Sequence, residues 1–208
     1  MENKKHKSKE QGKSKKTKPK KSEANARTLK IVLIVCFAII IFILVAYFYI
    51  NSLRSYTYEG VEFTTVQEGE LILYQTSIPV PYEGGMAPYN FYLRTNPKKL
   101  QNVPFDNSDF KLMQNTVLNF QDEFDCEGYG IIAIANLVQL HSSMGINIIK
   151  DENATCDARY NFMNITLGDK TEIQKIDENC YNIVINDCEI LPGTERMMLE
   201  MFVKYSEI

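Results

Sequence analysis

The chain of 208 residues carries a net charge of only −3, but its charges are segregated. The first thirty residues hold twelve Lys or Arg against Glu2, Glu10 and Glu23, a net +9, so residues 31–208 carry −12. No internal repeat follows the basic stretch, which excludes a solenoid, and the roughly 150 residues beyond residue 50 are the size of one ordinary domain.

Residues 1–30 read as a disordered, lysine-rich cytoplasmic tail. Its cations suit anionic lipid headgroups, each contributing about 1 kcal/mol. Contact with nucleic acid through phosphates is the alternative, but no aromatics are interleaved for base stacking, and no specific nucleic-acid partner is expected. Gly12-Lys13-Ser14 has the ending of a phosphate-binding loop, yet Lys7 stands where the loop's first glycine belongs and no strand precedes it.

Ile31 to Ile50 (IVLIVCFAIIIFILVAYFYI) is uninterrupted and uncharged. Roughly 20 apolar residues rising about 1.5 Å each cross a hydrocarbon core of about 30 Å, so the run predicts a single transmembrane helix in contact with the lipid bilayer. A cleaved signal peptide would need a shorter core and small residues at the cut, where Tyr47-Phe48-Tyr49 stands. Cys36 reads as a small apolar residue within the membrane. Cations concentrate on the cytoplasmic flank, which predicts a single-pass cell-membrane protein with its N-terminus inside and its C-terminal domain outside. A juxtamembrane linker is expected over 51–55 and an extracytoplasmic domain over 56–208.

Within that domain Val61–Val66 and Leu71–Gln75 flank a Glu68-Gly69 turn and read as a hairpin. Pro79, Pro81, Gly84, Gly85 and Pro88 suggest an irregular surface loop, and the tyrosines from Tyr82 to Tyr92 are either an exposed recognition loop or half-buried strand aromatics. Asn90–Arg94 reads as a strand. Phe110, Leu112, Leu118 and Phe120 on even positions suggest another. Tyr129–Met144 is the clearest helix, with Ile131, Ile134, Ala135 and Val138 on the i, i+3, i+4, i+7 spacing and Gly145 as C-cap. Strands follow at Ile146–Ile149, about Tyr160–Leu167, Thr171–Ile176 and from Tyr181. A last helix starts at Thr194 as N-cap after a Pro192-Gly193 turn, with Met198, Met201, Phe202 and Tyr205 inward and Glu195, Glu200 and Lys204 outward. The pattern predicts an α/β fold, a mixed sheet with helices behind a single N-terminal transmembrane helix.

Cys126, Cys156, Cys180 and Cys188 lie beyond the apolar run, an even number that suggests two disulfides among three connectivities. The strand from Tyr181 would separate Cys180 from Cys188 by roughly 26 Å, too far for a bond. Pairings across the domain are therefore favoured, Cys156–Cys180 plus Cys126–Cys188 taken first. Free thiols in a reducing compartment are the alternative; zinc is disfavoured because no CxxC pair occurs. Asn153-Ala154-Thr155 and Asn164-Ile165-Thr166 are glycosylation sequons.

His141 stands beside Ser142 and Ser143, but adjacent helix positions diverge, so a histidine near free helix-end carbonyls is the preferred reading. Asp122, Glu123, Asp125 and Glu127 crowd the start of the same helix, where carboxylates suit the helix dipole. Asp122, Asp125 and Glu127 are also weak calcium candidates, though no EF-hand spacing is present. Leu191-Pro192-Gly193-Thr194 has Glu195 where a sortase signal needs glycine. No cofactor is expected.

The blocks Cys156-Asp157-Ala158, Asn179-Cys180-Tyr181-Asn182-Ile183 and Glu195–Phe202 resemble those of a group of uncharacterised archaeal membrane proteins with one N-terminal helix, over about residues 126–208. The resemblance implies that Cys156 and Cys180 are a structural pair in an extracytoplasmic domain, and implies no activity. Three functions stay open: a non-catalytic binding or envelope module with an unidentified protein partner, an accessory subunit of a membrane complex, and a hydrolase built on acidic residues.

Overall fold

The computed structural model describes residues 21–106, 109–120, 126–149, 151 and 153–207. The chain divides into two compact units, Met1–Ile50 and Asn51–Ile208. In the first, helix α1 (Lys21–Arg54) contains, over Arg27–Ile50, a stretch long and apolar enough to cross a membrane. The helix continues to Arg54 and the next strand begins at Ser55. Asn51-Ser52-Leu53-Arg54 contains no Gly or Pro to end the helix earlier.

The second unit is a mixed α/β fold with two sheets. The first sheet is an antiparallel meander of β1 (Ser55–Tyr58), β2 (Val61–Glu68), β3 (Leu71–Tyr82) and β4 (Gly85–Leu93). Its three turns have two residues each, and the positive φ of Glu59 (44°), Gly60 (89°), Gly69 (62°), Glu83 (45°) and Gly84 (82°) matches the primed turns that suit twisted strands. The segment from Pro79 to Pro88, expected as a loop, is the end of this β3–β4 ladder. Strand register explains how it tolerates three prolines. Tyr82 and Gly85 close the two-residue turn and exchange both backbone bonds, so hydrogen-bonded pairs recur at every second residue. Pro79, Pro81 and Pro88 all fall on the intervening positions, whose N–H groups the ladder does not use.

A short helix, α2 (Pro97–Leu100), is capped by the Asn96 side chain, which accepts from the Lys98 N–H at 2.9 Å. The second sheet contains β5 (Asn115–Phe120), β6 (Asn147–Ile149), β7 (Asn161–Leu167), β8 (Glu172–Asp177) and β9 (Cys180–Ile185) in the order β6-β5-β7-β9-β8. All neighbours are parallel except the β8–β9 hairpin. Helix α3 (Tyr129–Ser143) makes the crossover from β5 to β6. The strand expected from Phe110 begins only at Asn115. Phe110 instead packs into an aromatic cluster, 5.4 Å from Tyr181 and 6.0 Å from Phe105 between ring centroids.

The closing helix α4 (Ile190–Ser206) is the centre of the unit, buried from Ile190 to Val203 except at Pro192. Phe202 meets Phe63 and Phe91 of the first sheet at 6.2 and 5.7 Å, and Gly193 faces the second. A Cβ on Gly193 would come within 2.5 Å of Ile185 Cδ1, so this glycine serves close helix–strand approach. The expected Pro192-Gly193 turn is thus the first turn of a helix, where proline is tolerated. Thr194 is inside it, donating to the Ile190 carbonyl at 2.8 Å. Glu195 and Glu200, expected at the surface, are each 1% exposed. Enclosure of α4 from several sides removes the solvent face that amphipathic spacing implies.

Candidate functional site

The residues singled out by sequence fall in several places. Cys126 is bonded to Cys188 and Cys156 to Cys180, with Cα separations of 5.4 and 5.7 Å. The first bond ties the entry to α3 to the entry to α4. The second pins the loop before β7 onto the start of β9. Asp122, Glu123 and Asp125 lie outside the described residues. Glu127 occupies the turn before α3 with φ 51°. Among the described residues no cluster of three His, Cys, Asp or Glu could hold a metal.

Asn153 is exposed in a turn. Asn164 is 8% exposed in the middle of β7, and its Nδ2, the nitrogen a glycan would take, donates to Asn182 Oδ1 at 3.3 Å. The folded domain therefore offers no free acceptor at the second sequon.

His141 lies in the last turn of α3 and is fully buried. Its Nδ1 lies 2.7 Å from the Leu137 carbonyl, which can only accept, so Nδ1 carries the proton and Nε2 is left without a partner. Burial pushes the imidazole below its ordinary value, outweighing the bond to Leu137. The folded state thus prefers neutral histidine. That contribution is complete above the unfolded value near 6.5 and is lost as pH falls through it toward the folded value. His141→Leu is expected to reduce the loss of melting temperature between about pH 7.5 and 5.5; thermal melts of both proteins at both pH values measure it, and equal losses would refute the assignment.

Sequence reasoning missed a buried polar centre on α4. Glu195 accepts from the Arg94 and Thr95 N–H groups at 2.6 and 2.8 Å, fastening the end of β4 to the helix. Burial raises the Glu195 carboxyl, and these two bonds pull it partway back. At the next residue, Arg196 Nη1 donates to Glu200 Oε2, one turn on, at 3.2 Å, and the guanidinium stands 5.2 Å from the Phe105 ring centre. The i,i+4 spacing of Arg196 and Glu200 was the available signal. With both oxygens of Glu195 on backbone amides and Glu200 held by Arg196, the centre's demonstrated chemistry is structural: it joins β4 to α4.

The feature with an outward destination is α3. Its buried side is Gly130, Ala133, Leu137, Leu140 and His141. The stripe marked by helical spacing, Ile131, Ile134, Ala135 and Val138, lines an open groove of about 460 Å³ with Phe120 and Ile190, and Ile134 is half-buried against the core. Ile131 is 77% exposed. Both stripes have helical spacing, so spacing alone could not choose between them. The helix is 15 residues, about 22 Å long, and carries no Lys, Arg, Asp or Glu. A helix apolar on nearly every side is ordinarily buried.

Beside it stands the tyrosine-rich β3–β4 hairpin, a strand pair with exposed aromatics rather than a loop. Gln139 Nε2 reaches Tyr89 Oη at 3.3 Å, joining α3 to β4. A further cleft of about 550 Å³ opens where β2 and β3 diverge beyond Thr64 and Gln75, with Phe202 and Tyr205 among its walls. Tyr205 donates to the Pro79 carbonyl there at 2.8 Å. No protein-family model, curated protein or solved structure matches the chain.

Proposed function

We propose that the chain is a membrane-anchored module whose globular unit works outside the cytoplasm by binding a protein partner, without catalysis. The lysine asymmetry around the apolar helix supports that orientation, and two disulfides suit an oxidising compartment. The observation that carries the binding reading is the outward apolar stripe of α3. Exposed apolar patches of this kind mark interaction sites, and the stripe's lack of charge suits the core of an interface.

A photo-crosslinking residue at Ile131 in the full-length, membrane-inserted protein is expected to give a discrete adduct that the Val138→Asp change abolishes. The same group at exposed Glu62 should give none. Val138 lines the groove and is exposed, so Val138→Asp should leave the melting temperature within a few degrees of the parent. Equal adducts from both positions would sink the proposal. Protease added outside sealed cells tests the orientation: the globular unit should be degraded and the lysine tail spared.

A further inference from the structure

The two sheets have four outer edges, and three are protected. β1 has four residues and β6 three. β8 carries Glu172, Lys175 and Asp177 and a register irregularity between Lys175 and Asp177. Shortness, charge and bulges are the devices that keep sheet edges from pairing with other chains. β4 differs. It has nine residues, GMAPYNFYL, with no charged side chain, and among the described residues no strand lies on its far side.

Register identifies which of its groups are available. Gly85, Ala87, Tyr89, Phe91 and Leu93 are the hydrogen-bonded partners of β3, counted from the closing pair Tyr82–Gly85. The N–H and C=O groups of Met86, Asn90 and Tyr92, and the C=O of Pro88, therefore point away from the sheet. Pro88 is the only interruption. The side chains of Met86 and Tyr92 are 62% and 37% exposed.

We infer that the free edge of β4 accepts an extended segment of another polypeptide as a fifth strand of the first sheet. Main-chain bonds supply affinity in this mode, and pockets for alternate side chains supply specificity. A segment opposite residues 86–92 would be about 23 Å long. Its inward side chains would lie beside Tyr89 and Phe91, the former bonded to Gln139 of α3, so apolar residues belong at every second position. A second copy fits less well. Self-pairing would set Pro88 of both chains in the new ladder, losing two donors instead of one, and each copy carries −12 beyond residue 30. That charge instead favours basic flanks on the incoming segment. This inference stands on the β4 backbone and does not depend on the α3 groove.

The test uses the full chain in nanodiscs and a fluorescent peptide of alternating valine and threonine with a lysine at each end. Asn90→Pro removes an outward N–H while leaving the β3 ladder intact, and is expected to weaken binding at least tenfold. Asn90→Ala, which keeps that N–H, should bind like the parent. Amide exchange gives an independent reading that needs no variant: peptide should slow the Met86, Asn90 and Tyr92 amides, with Tyr89 and Phe91 protected beforehand. Absence of peptide binding, binding that survives Asn90→Pro in a folded protein, or no new protection at those three amides would overturn the inference. So would self-association of the chain that Asn90→Pro abolishes, because the occupant would then be a second copy. Loss of the Ile131 crosslink with peptide binding intact would count against the groove alone.

Discussion

Arg196→Ala is expected to destabilise the globular unit by about 3–5 kcal/mol, the cost of leaving one member of a buried ion pair without its partner. Glu200 is 1% exposed, and Arg196 is the group paired with it at 3.2 Å. The variant also loses the guanidinium packed over Phe105. Urea denaturation near neutral pH measures the loss as a shift in midpoint at constant slope. The double change Arg196→Met with Glu200→Leu should be close to the parent in stability or above it, because no buried charge is stranded. If the double variant were as unstable as the single one, the cost would come from packing at these positions and not from the orphaned carboxylate.

Removing the Cys126–Cys188 bond by paired serine substitution should cost about 4 kcal/mol, and removing Cys156–Cys180 about 3 kcal/mol. These follow from the loop entropy released by closures of 62 and 24 residues. Denaturation of the two double-serine proteins under non-reducing conditions gives both values. A reversed order would mean that local contacts outweigh loop length. The longer closure joins the entries of α3 and α4, so its loss should also raise amide exchange in the first turn of α3 more than in β9. Uniform loosening of both elements would argue against that local role.

Much of the architecture could be read before any coordinates. Period-two alternation and turn residues announced β2, the start of β3, β7 and β9, and Tyr129–Ser143 announced itself as a helix. Two kinds of error remain, with different causes. Pro79, Pro81 and Pro88 were read as loop signals because a single strand shows only that a donor is missing. Whether the ladder needs that donor depends on the partner strand and on the turn that sets its register. Glu195 and Glu200 were assigned to the wrong surroundings, and spacing left those of the α3 stripe open, because amphipathic spacing gives relative faces. It does not say how many neighbours a helix will have.

The sequence by itself determined that a lysine-rich segment precedes an apolar helix of membrane-crossing length, and that a mixed α/β unit with four cysteines follows. Those are properties of local composition and short-range periodicity, and they survive any arrangement of the parts. Tertiary structure alone decided that α4 lies at the centre, so that its glutamates are buried. It also decided that α3 turns one apolar stripe to solvent and that β4 ends a sheet with its backbone edge open. Burial and exposure are set by segments distant in the chain, such as Arg94 with Glu195 or Tyr89 with Gln139. No local pattern encodes which of them will meet.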